Sequence, residues 1–179
     1  MARNPEPTAT SIGADAPDVL NYFAGLAPDS SLAQLRAQRP EVVRYAQGSY
    51  DALLDPDDPA SVSLSERDMI ALRVAVLTPS PAVAAWHRDR LRARGASDTT
   101  LAAIEQFPAG SALSPRVRVI LRHTDRLTRE PGAATPAHLA EMKAAGLSPR
   151  DIVTIAQLIA LLSFQVRVLA GLRLLAEEA

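Results

Sequence analysis

The sequence predicts an all-α protein, a domain of roughly nine helices with an oligomeric habit, and three observations carry that expectation. Alanine, leucine and arginine dominate, and no stretch alternates polar and apolar residues for long, so the two-residue period of strands is missing. Serine or threonine stands before proline at intervals, the pattern of a helix cap followed by the first helical residue. Near the C-terminus IVTIAQLIALLSF (152–164) is apolar on nearly every face, as a helix covered on all sides must be.

The elements follow in order. Residues 1–17, MARNPEPTATSIGADAP, are polar and proline-punctuated, carry no apolar core of a secretory signal, and are expected to form a flexible arm. Helices are expected from Asp18, Ser31 and Pro40, ending in a breaker-rich loop at 55–63, DPDDPASVS. After it a cassette recurs as LSERD (64–68), LSPRV (113–117) and LSPRD (147–151). In each, the serine (Ser65, Ser114, Ser148) can accept from a backbone N–H at a helix start. Asp68 and Asp151 complete S-x-x-D, a short-armed capping box, and Leu64 with Met69 and Leu147 with Ile152 have the spacing of hydrophobic staples. Ser80-Pro81 and Thr135-Pro136 mark two more starts, Ser97 a further one, and Gly95 and Gly146 are placed to end helices in the left-handed conformation. The final helix runs from Ser148 towards Ala176. One domain is expected over 18–179, with an N-terminal helical lobe at 18–54 and a core at 64–176.

Composition excludes several function classes. The 179 residues include no cysteine, which removes disulfides, thiolate metal sites and thiol redox chemistry. Nineteen basic residues face twenty acidic ones, so neither nucleic acid nor an anionic membrane is the expected partner. The apolar run 152–164 is shorter than the roughly 18 residues of a membrane span and is interrupted by Gln157, so no membrane association and a cytoplasmic location are expected. There is no glycine-rich phosphate loop, no H-E-x-x-H and no G-x-S-x-G, and the three histidines lack metal-ligand spacing. Neither a metal nor a cofactor is expected.

The residues that could carry chemistry gather around SPAVAAWH (80–87), which holds the only tryptophan, Trp86, beside His87. Val83, His87 and Leu91 share one helical face, so His87 should be buried, while Arg88, Asp89, Arg90 and Arg92 point elsewhere. A buried imidazole near neutrality can serve as a general base, or can be a core histidine bonded to a backbone carbonyl, and both readings stand. Asp68 is the one acid in DMIALRVAVL, explained fully as a helix-start carboxylate. Arg73 and Arg167 interrupt apolar runs, and each needs a carboxylate, carbonyls or an anionic ligand. His123 and His138 sit among charges and are expected on solvated faces.

The stretch 68–87, DMIALRVAVLTPSPAVAAWH, resembles the carboxymuconolactone decarboxylase and AhpD-like superfamily of all-helical proteins, especially its peroxidase-related branch. In thiol-active members a glutamate opens the pattern, C-x-x-C follows, and a histidine comes four residues after the second cysteine. Those slots fall here on Asp68, Ser80, Val83 and His87, with the acid shortened, the histidine kept and both cysteines gone. The similarity runs over about residues 40–175 and includes AGLSPR (145–150) and Arg167 on the final helix.

That resemblance implies two functional expectations. In the first, resembling the superfamily's thiol-free decarboxylase branch, His87 carries protons at a small carboxylate or lactone substrate. Asp68 orients it, Arg73 or Arg167 anchors the anion, and Ser80 and Trp86 border the pocket. In the second, the chain is a catalytically silent, oligomeric structural or partner subunit of a cysteine-bearing alkylhydroperoxidase-like relative. Homo-oligomers, trimers or hexamers, are implied in either case. A polar cavity reaching His87 separates the two readings.

Overall fold

The computed structural model describes residues 18–109 and 112–177, and the expected arm 1–17 lies outside them. Among the described residues there are helices and turns and no strand.

Helix α1 (Val19–Ala24) is capped by Asp18, whose carboxylate accepts from the N–H groups of Leu20 and Asn21. Helix α2 (Ser31–Ala37) is capped by Ser30, one residue before the expected start. Helix α3 (Pro40–Leu54) begins with proline at its first position, where the missing N–H costs nothing. Helices α4 (Leu64–Leu77), α5 (Pro81–Ala93) and α6 (Asp98–Glu105) follow, then α7 (Pro115–Arg129), a 3-10 turn (Pro131–Ala133), α8 (Pro136–Ala144) and α9 (Pro149–Glu177).

Two of the recurring cassettes act as expected and one does not. Ser114 caps α7, and Ser148 caps α9, with Asp151 accepting in return from the Ser148 N–H. On α4 the box is instead Ser63 with Glu66: the Ser63 hydroxyl accepts from the Glu66 N–H, and Glu66 accepts from the Ser63 N–H. Ser65 is therefore inside the helix and Asp68 is a full turn past its start. The longer arm of Glu66 reaches the cap, which leaves the short Asp68 free for the interior. At α8, His138 takes the reciprocal position, its Nδ1 accepting from the Thr135 N–H. Gly95 and Gly146 follow α5 and α8 with φ of 86° and 81°, a region closed to most side chains.

Helix α4 is the centre, packed by α5, α7 and α9. Ile70, Ala71, Leu72, Arg73, Val74 and Ala75 are consecutive and all buried, which explains why this segment is apolar on every face but for Arg73. Leu91 of α5, Leu121 of α7 and Ile155, Leu158 and Leu162 of α9 complete the core.

Helix α9 corrects the reading of the apolar run. It has 29 residues, and one 18-residue window reaches a mean hydropathy of 1.9, so by length and composition it could cross a membrane. In this fold it serves as a core helix, although only 39% of that window is buried, and Val153 and Phe164 stand exposed. Its coverage within one chain is thus incomplete.

Candidate functional site

The site is built where α5 crosses α4. Val83, His87 and Leu91 form the inward stripe of α5, each without solvent exposure, and His87 faces Asp68, which is likewise wholly buried. His87 Nδ1 lies 2.8 Å from Asp68 Oδ1. The same oxygen accepts from Arg90 Nε at 2.7 Å, and Oδ2 accepts from Arg94 Nε at 2.9 Å. His87, Arg90 and Arg94 recur at helical spacing, so one edge of α5 presents all three to a single carboxylate.

Arg90 reaches further, donating to both oxygens of Asp55 at 2.9 and 2.6 Å, while Arg94 approaches Asp55 at 3.7 Å. Two carboxylates and two guanidiniums thus balance, and the loop after α3 is tied to α4 and α5. The expectation that Arg90 points elsewhere is corrected, and Asp55 and Arg94 were not recognised at all. The signal was present in the spacing of His87, Arg90 and Arg94 opposite a lone buried acid.

The electrostatics fix the protonation. Burial pulls the His87 imidazole below its ordinary range against the pull of Asp68, and Arg90 adds to the lowering. Burial pushes the Asp68 carboxyl up, but the hydrogen bond from His87 and the guanidinium of Arg90 outweigh it and hold the carboxyl low. A neutral ring beside an ionised carboxylate carries its proton on Nδ1, so Nε2 presents a bare lone pair. That nitrogen is buried and has no hydrogen-bond partner.

The other site candidates fall elsewhere or serve packing. Ser80 is buried, but its hydroxyl makes no cap bond and has no partner, which corrects its reading as a helix cap. Trp86 is half-buried, donates from Nε1 to the Tyr50 hydroxyl at 2.9 Å and meets Tyr22 and Phe23 edge-on. Arg73 is buried in a bidentate pair with Asp125, at 2.6 and 2.7 Å, and also donates to the carbonyls of Ile104 and Glu105. Four of its five N–H groups are thus engaged, none of them with Asp68 or His87. Arg167 is exposed on α9 and donates to the Ser163 carbonyl at 2.7 Å, with no bond to Asp68, Ser80 or His87. Of the expected set, the structure joins only Asp68 and His87. Helical phase explains the miss for Arg167: an apolar run hides which of its residues face outward. His123, expected on a solvated face, is buried with Nδ1 unpartnered, because it lies on the side of α7 that faces inward.

Of four surface cavities of about 340 to 780 Å³, none is lined by Asp68, Ser80, Val83, Trp86 or His87. The largest of these four is an apolar groove between α3 and α9 that includes Val42, Tyr45 and Phe164. Among the described residues no three His, Asp or Glu side chains gather as metal ligands. Chemically, the arrangement is an oriented, neutral imidazole with a free lone pair, sealed from solvent.

Solved structures share this architecture. An uncharacterised peroxidase-related protein from Silicibacter sp. matches at a TM-score of 0.70 and 21% identity, covering 96% of this chain and 92% of its own. A Ralstonia eutropha peroxidase-related protein with an alkylhydroperoxidase AhpD core matches at 0.69 and 19%, covering 87% and 83%. A protein of unknown function from Agrobacterium tumefaciens, provisionally described as the antioxidant defence protein AhpD, matches at 0.67 and 18%, covering 75% and 89%. No protein-family model and no curated protein sequence matches the chain. The fold is AhpD-like, and on it this chain carries no cysteine.

Proposed function

We propose that this chain is a non-redox, assembly-forming subunit on the AhpD-like fold, in which the former reaction centre has become a structural ion cluster. The observation that carries this reading is the complete burial of Asp68 and His87, with both carboxylate oxygens taken by Arg90, Arg94 and the imidazole. A thiol mechanism has no sulfur to run on, because Val83 is inert and the alkoxide of Ser80 is not redox-active.

The partner in this reading is a second AhpD-like chain, in the simplest case another copy, seated on the α3–α9 groove. Val42, Tyr45 and Phe164 are exposed there, and a cluster of large apolar side chains on a helical surface is costly to leave in water. The test measures mass by light scattering beside consumption of tert-butyl hydroperoxide in the presence of a dithiol. The reading expects a multiple of the 19.1 kDa chain, reduced by Phe164→Glu, and no peroxide consumption. A wild-type monomer at micromolar concentration would overturn it.

A second reading is favoured by one specific observation, the unpartnered Nε2 of His87 on a ring whose other nitrogen is held by Asp68. An imidazole so oriented is the form that accepts a proton in general-base catalysis. On this reading His87 works on a small carboxylate or lactone that enters when α5 shifts from α4. Carbon dioxide release from a γ-carboxylactone, present in the wild type and absent in His87→Ala, would establish it over the silent subunit.

A further inference from the structure

The geometry points to a binding site for a small carboxylate with an apolar body in the cavity between the C-terminal end of α7 and the middle of α9. The cavity has a volume of about 420 Å³, within the range of small-molecule pockets. Leu127 and Ile159 supply apolar lining, and Arg129 and Arg167 supply charge. No carboxylate lines it. Arg129 has neither a hydrogen-bond nor an ion-pair partner among the described residues, and Arg167 donates only to the Ser163 carbonyl. Each guanidinium therefore retains unused N–H groups beside an apolar lining, a combination that a hydrated inorganic anion does not satisfy and an organic carboxylate does.

An independent observation comes from Thr128, which also lines the cavity. A helical threonine ordinarily returns its hydroxyl to the carbonyl four residues back. Thr124 does so to Ile120 at 2.9 Å, and Thr78 does so to Val74 at 2.6 Å. Thr128 does not, and its Oγ1 is buried without a partner. A buried hydroxyl left unbonded costs about 1–3 kcal/mol, which turning this one towards an acceptor in the adjoining cavity would recover. Two arginines and one hydroxyl offer more donors than a carboxylate has oxygens, and the guanidiniums offset the carbonyl ends of α7 at the same place.

Neither Asp68 nor His87 lines this cavity, so the site is independent of the silent or catalytic reading of that pair. The test uses calorimetry with 2-naphthoate, the neutral 2-naphthamide and inorganic phosphate. Saturable binding of naphthoate is expected, with at least tenfold weaker binding of the amide and none of phosphate. Arg129→Gln and Arg167→Gln should each weaken naphthoate at least tenfold and leave the melting curve unchanged, since both side chains are exposed. Thr128→Val should weaken it by a smaller factor. No saturable binding, equal binding of acid and amide, or indifference to both arginine variants would overturn the proposal.

Discussion

Asp68 Oδ1 receives His87 Nδ1 at 2.8 Å and Arg90 Nε at 2.7 Å at once, so the buried histidine shares its carboxylate with a guanidinium. Sharing restricts how the carboxylate can respond to the ring. A carboxylate held by one histidine can follow that ring through protonation, whereas one also clamped by Arg90 and Arg94 is a fixed counter-charge.

Asp68→Asn should destabilise the protein by roughly 3–5 kcal/mol, since it removes the wholly buried charge against which the half-buried Arg90 and Arg94 are held. Urea denaturation measures this. A loss below about 1 kcal/mol would mean that Asp55 alone satisfies both arginines.

Stability should fall on acidification below neutrality. Burial holds His87 and His123 below the ordinary histidine value of 6.5, so the unfolded chain takes up protons there while the folded one does not. Their contribution is complete above pH 6.5 and is lost as the pH falls towards the folded values. Asp68, held below 3.8, adds a second loss at lower pH, as acid protonates a carboxylate the native state needs charged. Melting temperatures from pH 8 to pH 4 check the sign, and His123→Asn should flatten the limb below pH 6.5. A profile level down to pH 5 would contradict the burial of both rings.

Ser63→Ala should cost about 1 kcal/mol by removing the α4 cap, and Ser65→Ala less than about 0.5 kcal/mol. Chemical denaturation of the two single variants separates the cap that exists from the one that the repeated cassette suggests. The reverse order would place the helix start two residues later.

A chain carrying Ser80→Cys and Val83→Cys should fold and should still fail as a peroxidase. Both positions are buried, so the thiols should react with Ellman's reagent at least 100-fold more slowly than in urea-unfolded protein. Immediate reaction in the native state would show that α5 opens to solvent, and would favour the proton-carrying reading of His87.

Much of the fold was legible because helix signals are local. Asp18, Ser97, Ser114 and Ser148 cap helices where the sequence places them, and proline at 40, 81, 115, 136 and 149 stands at the first helical position. Ser63 and Ser65 show the limit. Both precede an acid three residues later, and only the geometry of the loop before α4 selects the Ser63 and Glu66 pair.

By itself the sequence determined the helical class, the burial of His87 on its apolar stripe, and the absence of any thiol chemistry, since these depend on residue type and on a 3.6-residue period. Only the tertiary structure decided which charges meet. Asp68 finds Arg90 and Arg94 across 22 and 26 residues, and Arg73 finds Asp125 across 52, while Arg167 turns outward. Partner choice among buried ions depends on how helices cross and on which loop closes over them, and a charge out of water must take whichever opposite charge that crossing delivers.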